Sequence, residues 1–570
     1  MRNATISCFF TLFIAGSIVM LSHAYSKMNT AIDTRSFTGS YLAGRLANYE
    51  NKTNLAIDYF KQALVYQPNN VEIQKEIFEA MLSVGAFKEA VKQAKKLKKQ
   101  GIVTPFISLT LSIENLIKKD YKNVQSLLKF EASPPINNPI SELIGAWAIF
   151  GSGNQSKAIK DLEKRLGPIW YDLFIHYHLA LMNDLAGHTQ NAKKHFIQAL
   201  TNQQAAIIAP DTYERIIIAY ASFQVRHKMR SQAIETLRHG EQILLGRESL
   251  KNIRKRIEKG ANLKKLVETS QQGAGEVLYS FGAFLNQKNS ERVARIFEQL
   301  SLTLYPQNDA ILFQLANISA KLKDFDQAIK LYRALPLKSP YHKDGQLRLA
   351  LTLANNNNRD EAIQLLTSLK EKFPNDRYIL TALANIHMQK NNFSESIKII
   401  DYAIAQITDF QKEDWKLFYQ RGIAFERLQQ WPKAEIDLRK ALELFPNQPQ
   451  VLNYLGYSLI ERNQNLEESL QILQKASELD PPDGYILDSL GWAHYKLKQY
   501  DKAIQMLESA VRLKPEDPTF NDHLGDAYWQ VGRKREAVFQ WNHALDGEHK
   551  NPEKIKEKMK FGLKETAMYK

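Results

Sequence analysis

The sequence has very little cysteine, because Cys8 is the only one among 570 residues. It opens an apolar run, CFFTLFIAGSIVML, which follows a basic residue at position 2 and precedes Ser22-His23-Ala24. A basic start, a short apolar run and small residues at the −3 and −1 positions are typical of a secretory signal peptide. We therefore expect a signal peptide over residues 1–24, cleavage after Ala24, and a periplasmic protein.

An uncleaved membrane anchor is the alternative, but the apolar run is shorter than the ~20 residues that cross a bilayer comfortably, which favours export with cleavage. A lipid-attachment site is not indicated, because the apolar stretch follows Cys8 instead of preceding it. A chain cleaved after Ala24 has no cysteine left. That excludes disulfides, thiol catalysis and cysteine metal sites from the exported protein.

The sequence also lacks the motifs that carry catalysis. It has no glycine-rich phosphate loop, no GxSxG and no HExxH. His176 and His178 are two residues apart, so on a helix they point to different faces and make poor co-ligands. We predict no catalytic residue, no metal ligand and no cofactor, and an enzyme is the least favoured of three functional interpretations.

Positive charge is in excess, with a formal net charge of +15. The basic residues are interspersed with acids and belong to no recognised nucleic-acid module, so we expect no nucleic acid partner. The segment from Arg247 to Leu266 carries eight Lys or Arg against two Glu. It is interpreted either as a helix with solvated charges or as a contact for anionic lipid or an acidic partner.

A repeated pattern is what the sequence does contain. Residues 484–517, GYILDSLGWAHYKLKQYDKAIQMLESAVRLKPED, predict two amphipathic helices joined by a turn. Gly491, Ala503 and Ala510 are small where helices must approach closely, and Pro515 ends the second helix. This 34-residue pattern resembles the tetratricopeptide repeat.

The same frame recurs along most of the chain, for example with Gly525, Ala537 and Ala544 in the next unit. One such unit cannot bury its own apolar face, so units must stack. The resemblance implies an all-α fold, a right-handed superhelical solenoid of about 12–14 helix–turn–helix repeats. Composition breaks divide it into five parts. They are a partly degenerate N-terminal block (residues 37–247), a basic helical linker (248–274), a middle block (275–410), a C-terminal block (415–551) and a capping helix (552–570).

In this family the first helix of each repeat lines the concave face through its positions 2, 5, 9 and 12. The resemblance thus implies a protein-binding groove in the C-terminal block, formed by Asn453, Tyr457, Tyr485, Asp488, Trp492, Tyr495, Asp522, Asp526 and Trp529. Such a groove is acidic and aromatic and fits a cationic or amide-rich partner. Trp492 and Trp529 are expected to be exposed, although packing of these aromatics between repeats is the alternative.

The C-terminal block is similar to bacterial envelope tetratricopeptide proteins in phrases such as LNYLGYSL and NDHLGDAYWQVGRKREA. These proteins include the lipoprotein adaptor of a carboxyl-terminal processing protease. The similarity implies an exported, non-catalytic scaffold that binds one or more envelope proteins, with such a protease as one candidate. An accessory subunit of an envelope polysaccharide or lipid machine is the second interpretation, and nothing in the sequence indicates an oligomeric state.

Overall fold

A computed structural model describes residues 36–128, 137–165, 169–201, 204–286, 290–480 and 483–563. Within these ranges every regular element is a helix, so the predicted all-α fold built of helical pairs is confirmed. The signal peptide predicted over residues 1–24 lies outside the described residues. Among the helices that are described, none combines the length and the apolar character needed to cross a membrane.

The chain divides into two compact units, the first ending at Leu365 and the second starting at Leu366. The helices of the first unit, in chain order, are α1 (Phe37–Tyr49), α2 (Thr53–Tyr66), α3 (Val71–Ser83), α4 (Phe87–Lys99), α5 (Pro105–Ile117), α6 (Tyr121–Leu127), α7 (Asn137–Gly151), α8 (Gln155–Glu163), α9 (Ile169–Ala186), α10 (Thr189–Thr201), α11 (Gln204–Ile208), α12 (Pro210–Arg226), α13 (Arg230–Ile243), α14 (Glu248–Glu258), α15 (Ser270–Leu285), α16 (Glu291–Leu304), α17 (Asp309–Lys321), α18 (Phe325–Arg333) and α19 (His342–Asn355).

Helix α20 (Arg359–Lys372) contains the division between the units. The second unit continues with α21 (Arg377–Gln389), α22 (Phe393–Ala405), a short 3₁₀ turn (Lys412–Asp414), α23 (Trp415–Arg427), α24 (Trp431–Leu444), α25 (Pro449–Glu461), α26 (Leu466–Leu479), α27 (Gly484–Lys496), α28 (Tyr500–Leu513), α29 (Pro518–Gln530), α30 (Lys534–Asp546) and α31 (Pro552–Phe561).

In the second unit, consecutive helices pack in pairs, and a glycine marks the tightest crossings. A Cβ atom on Gly491 would lie 2.7 Å from Leu507 Cγ, and one on Gly456 would lie 2.7 Å from Leu473 Cγ. Both separations are below the contact distance of two carbon atoms. These crossings therefore exclude a larger side chain, as predicted for the small residue of each repeat.

Local signals set where these helices begin and turn. The Asp483 carboxylate accepts a hydrogen bond from the backbone N–H of Tyr485 at 2.8 Å, which caps the start of α27. Asp517 caps α29 in the same way. The turn inside each pair needs a left-handed residue, which is Gly532 with φ 82° in one pair and Lys498 with φ 60° in another.

In the first unit, the pair α15–α16 packs against several earlier pairs at once. Helix α15 contacts α7, α9 and α12, and helix α16 contacts α3 and α5. Those five are the first helices of their pairs, which the repeat pattern assigns to the inner face. Residues 273–282 and 294–301 are all buried as a result. The middle block expected to resume stacking at residue 275 thus differs from a simple continuation of the stack. Its first pair covers the inner face of the preceding pairs.

Buried polar groups hold this pair in place. The Glu276 carboxylate accepts hydrogen bonds from Tyr177 Oη at 2.9 Å and from the Arg215 guanidinium at 2.8 and 3.1 Å. The buried Arg295 donates from Nη2 to Thr53 Oγ1 at 2.7 Å. Removing one partner of a buried ion pair costs ~3–5 kcal/mol, so these contacts favour one position of α15–α16 strongly.

The predicted linker, residues 248–274, is not one long solvated helix. Helix α14 ends at Glu258, and Leu250, Ile253 and Ile257 on it are buried in the first unit. The residues that follow are irregular until α15 begins at Ser270. The apolar positions of α14 are spaced three and four apart, so this helix has a buried side and packs as part of the unit.

The positive charge of this segment is also partly neutralised. Four of its eight cations lie within 4 Å of a carboxylate, namely Arg247, Lys251, Arg254 and Lys265. The Arg254 Nε atom, for example, is 2.6 Å from Glu241 Oε1. The expectation that the charges of residues 247–266 are simply solvated is therefore wrong.

Candidate binding surface

The nine residues predicted to line the groove lie on three first helices of the second unit. They are Asn453 and Tyr457 on α25, Tyr485, Asp488, Trp492 and Tyr495 on α27, and Asp522, Asp526 and Trp529 on α29. Four of them are buried, namely Asn453, Asp488, Trp492 and Asp526. The other five are half-buried. The nine side chains thus do not form a continuous exposed patch, and the exposure predicted for Trp492 is wrong.

Trp492 is the middle ring of a stack between repeats. Its ring lies 4.6 Å from that of Tyr495 and 4.0 Å from that of His523, with interplanar angles of 5° and 10°. The indole Nε1 donates a hydrogen bond to Glu461 Oε1 at 2.7 Å. Only 8% of Trp492 is exposed, because both faces of its ring are covered.

Asp488 is paired with the same histidine. Its carboxylate oxygens lie 2.9 and 3.1 Å from His523 Nδ1. Burial alone lowers the pKa of His523, but the charge and hydrogen bond of Asp488, with Asp522 and Glu461 further away, outweigh burial and raise that pKa above its usual value. This pairing uses the Asp488 carboxylate for contact between repeats.

Asp522 and Asp526 are paired with the C-terminal helix. The Nζ atom of Lys558, on α31, lies 2.7 Å from Asp522 Oδ1 and 2.8 Å from both carboxylate oxygens of Asp526. Burial opposes the charge of Lys558, but the two carboxylates outweigh it and raise the lysine pKa. Trp541 Nε1 also donates to Asp526 at 3.0 Å. The three carboxylates predicted to make the groove acidic thus contact a histidine and a lysine inside the unit, which offset part of their negative charge.

Trp529 and Tyr485 keep part of their surface accessible. Trp529 packs against Trp541 at 5.4 Å and against Gly562, on which a Cβ atom would lie only 2.0 Å from the indole. Tyr485 contacts Phe520 at 5.3 Å, and the Lys514 ammonium lies 3.8 Å from its ring centroid. Binding of a partner at these positions stays a prediction.

Sequence reasoning missed the residues that pair with the groove side chains, chiefly His523 and Lys558, which contact the carboxylates, and Glu461, which accepts the hydrogen bond of Trp492. His523 stands at position 6 of its repeat, directly after a position assigned to the inner face, and could have been considered as a partner for Asp488. Lys558 gave no such signal, because it is one of several lysines in a helix outside the repeat frame.

The first unit contains one unusual buried acid that the sequence did not indicate. Glu298, on α16, is fully buried, and neither carboxylate oxygen has a hydrogen-bond partner within the described residues. Burial, together with the charges of Asp211 and Glu276, raises its pKa well above the usual value. Because an unpaired charge there is costly, Glu298 is held in its neutral form.

The two histidines examined as possible ligands have separate neighbours. His176 Nδ1 lies 3.2 Å from His195 Nδ1, whereas His178 Nδ1 accepts a hydrogen bond from Trp147 Nε1 at 3.1 Å. They therefore point to different sides of α9, as predicted. Across the part of the chain that the structure describes, no three His, Cys, Asp or Glu side chains are grouped as metal ligands would be.

Three family models match segments of this chain, and all three describe the same repeat. A model described as "Tetratricopeptide repeat" matches residues 344–376, a second with that description matches residues 419–484, and a "TPR repeat" model matches residues 491–532. The chain contains tetratricopeptide repeats. Tetratricopeptide repeats present extended surfaces that bind other proteins, so it is a protein-interaction scaffold.

One curated relative is a TPR repeat-containing protein of Pseudomonas aeruginosa. It is 29% identical to this chain over 188 residues, which are 33% of this chain and 31% of the relative. The chain thus matches about a third of that relative's length.

Two solved structures have a weak similarity to this chain. A tetratricopeptide repeat protein from Parabacteroides merdae is 18% identical, with a TM-score of 0.36, and the match covers 44% of this chain and 97% of that one. A chain of the APC/C hetero-tetramer Cut9–Hcn1 is 16% identical, with a TM-score of 0.39, and the match covers 88% of this chain and 98% of that one. Both similarities are too low to indicate a partner.

Proposed function

We propose that this protein is a non-catalytic scaffold exported to the bacterial cell envelope, and that it binds partner proteins on the inner face of its second unit. One observation supports the choice of the inner face of the second unit. In the first unit, α15–α16 cover the inner helices. In the described residues of the second unit, helices in substantial contact are neighbours or next neighbours along the chain, so no distant pair covers the inner face.

Position 2 of each first helix supplies the accessible row on this face. It is occupied by Tyr378, Lys416, Gln450, Tyr485 and Thr519 on successive pairs. Tyr485 is half-buried, and the other four are exposed. Tyr378 is 64% exposed, which is high for an aromatic side chain in a folded protein.

The chemistry of this row suits a polypeptide. Tyrosines give a large contact area at low entropic cost, and amide and hydroxyl groups satisfy backbone hydrogen bonds of a bound segment. Because His523 and Lys558 offset part of the negative charge behind the row, a cationic partner is less favoured than an amide-rich one. We expect a partner that presents backbone amides and apolar side chains.

The envelope location is supported by the signal-like segment before Ala24 and by the resemblance of the C-terminal block to envelope tetratricopeptide proteins. Those proteins include the adaptor of a carboxyl-terminal processing protease. A processing protease is therefore the first partner to test, with its substrates or other envelope proteins as further candidates.

The test is site-specific photo-crosslinking in the bacterium of origin. A photoreactive phenylalanine analogue replaces Tyr378 in one strain and Phe539 in a control strain. Phe539 matches Tyr378 because it is an aromatic residue of the same unit, 59% exposed, but lies on α30, the second helix of its pair.

We expect crosslinked envelope proteins from position 378 and none from position 539. A processing protease among them supports the adaptor role. Equal crosslinking from both positions, or from neither, would show that the inner face is not the binding site.

A further inference from the structure

The outer side of helix α4 carries a dense group of lysines. One side of this helix is buried in the first unit and carries Ala90, Ala94 and Leu97. The opposite side bears six exposed lysines, Lys88, Lys92, Lys95, Lys96, Lys98 and Lys99, which we call the lysine ridge. Glu89 is the single acidic residue of the helix.

The lysine ridge is almost unpaired. Lys95 lies 2.7 Å from Glu114 Oε1, but the other five ammonium groups have no ion pair or hydrogen bond within the described residues. This differs from the segment 247–266, in which Arg247 and Arg254 each contact two carboxylates. A larger share of the cations is therefore free of carboxylates on α4, five of six, than in residues 247–266, four of eight.

The spacing aligns these charges along one line. Lys88, Lys92, Lys95 and Lys99 follow one another at intervals of four, three and four residues, so they share one side of the helix over about 16 Å. Like charges four residues apart repel and destabilise a helix. An anionic surface that approached the ridge would relieve this repulsion.

Neighbouring outer helices do not offset the charge. The outward side of α2 carries one acid and one base, Asp58 and Lys61, and the outward side of α6 carries Lys122. Val103, four residues after Lys99, is 56% exposed. An exposed apolar residue that follows the lysines in the sequence could enter the headgroup region of a bilayer bound there.

We propose that the lysine ridge binds the surface of an anionic lipid bilayer. Lysines are flexible, hydrated point charges without the planar fork with which arginine recognises one phosphate or carboxylate. Several lysines on a convex helix can each contact a different headgroup of a laterally mobile bilayer, and their contributions add. The inference goes beyond the proposed scaffold function and does not depend on which protein the scaffold binds.

The test measures binding of the full chain to vesicles by co-sedimentation at low salt. Vesicles of phosphatidylcholine mixed with phosphatidylglycerol are compared with vesicles of phosphatidylcholine alone. The ridge variant replaces Lys88, Lys92, Lys96 and Lys99 by Gln. The control variant replaces four scattered, exposed lysines by Gln, namely Lys330, Lys475, Lys502 and Lys554.

Both variants lower the formal net charge from +15 to +11, since each removes four positive charges. Glutamine keeps the helix propensity close to that of lysine, and circular dichroism checks that each variant folds. A difference in vesicle binding between the two variants therefore shows that the position of the lysines matters and not only the net charge.

We expect the unmodified chain to bind the anionic vesicles and not the neutral ones. The ridge variant should lose at least about tenfold in partition coefficient, and the control variant less than about twofold. Binding of the unmodified chain should weaken as salt is added.

Three results would overturn the proposal. The unmodified chain fails to bind anionic vesicles, the two variants lose binding equally, or the ridge binds soluble poly-glutamate but not vesicles. The last result would assign the ridge to an acidic protein.

Discussion

The imidazole ring of His523 lies 4.0 Å from the indole ring of Trp492, and the planes of the two rings differ by 10°. One residue belongs to α29 and the other to α27, so the stack joins the first helices of two successive repeats. Asp488 binds the edge of the same imidazole ring. Two residues predicted to line the binding groove, Trp492 and Asp488, thus join neighbouring repeats through His523.

Trp492→Ala should destabilise the second unit. Truncating a buried tryptophan costs ~3–5 kcal/mol, and here it also removes the hydrogen bond from the indole to Glu461. Amide hydrogen exchange in α27 and α29 should become faster by the factor that corresponds to this loss in the free energy of unfolding. The exposed Tyr378→Ala should change exchange little, by less than ~0.5 kcal/mol. Equal exchange in the two variants would contradict the buried stack.

The contribution of His523 to stability should fall as pH rises. Asp488 holds the pKa of folded His523 above its usual value, so the stabilising charge pair is fully present below the unfolded-state pKa of about 6.5. It is lost as the pH passes through the higher pKa of the folded state. Asp488→Asn removes the pair, so its stability deficit should be largest near pH 6 and shrink toward pH 9.

Urea unfolding of the unmodified chain and of Asp488→Asn across this range measures that deficit. Asp501→Asn, an exposed aspartate on α28, is the control and should show a small deficit that does not follow the titration of His523. A deficit for Asp488→Asn that grows with pH would contradict the assigned charge pair.

Gly491→Leu should open the crossing between α27 and α28. A Cβ atom at this position would lie 2.7 Å from Leu507 Cγ and 3.2 Å from the Ala503 carbonyl oxygen. Overpacking of this kind costs ~1–3 kcal/mol. Denaturant midpoints should therefore be lower for Gly491→Leu than for Lys502→Ala, a change on the exposed side of α28.

Lys558→Met should destabilise the C-terminal end of the second unit by ~3–5 kcal/mol, because it leaves the buried Asp526 carboxylate without its cation. Asp526→Asn in the same chain removes the stranded charge and should restore part of the loss. The rate of limited proteolysis between α30 and α31 measures both the loss and the recovery. If the double variant is cleaved faster than Lys558→Met alone, the ion pair is not what holds α31.

The exported protein should begin at Tyr25. The apolar run and Ser22-His23-Ala24 predict cleavage after Ala24, so N-terminal sequencing of the protein from envelope fractions should read Tyr-Ser-Lys. Replacing Ala24 by a bulky residue should slow this cleavage. An intact Met1 on membrane-bound protein would instead indicate a retained anchor.

The repeat pattern determined the helical pairs by itself. Gly456, Gly491 and Gly525 stand where helices cross within a pair, and the partner at each crossing is the next helix along the chain. Caps such as Asp483 act on residues two or three positions away. These interactions are local, so a period of 34 residues is enough to specify them.

Tertiary structure alone decided which faces are open and which charges are free. Glu276 meets Tyr177 and Arg292 meets Asn48 across 99 and 244 residues of sequence, separations that contacts between neighbouring repeats do not encode. A repeat specifies its contacts with its neighbours. The position of α15–α16 depends instead on how all the earlier pairs are arranged relative to one another. The composition of residues 247–266 could not show that carboxylates of earlier helices, such as Asp211 and Glu241, would pair with its arginines. The charge of a segment is a property of its sequence, whereas the availability of that charge depends on what the fold places beside it.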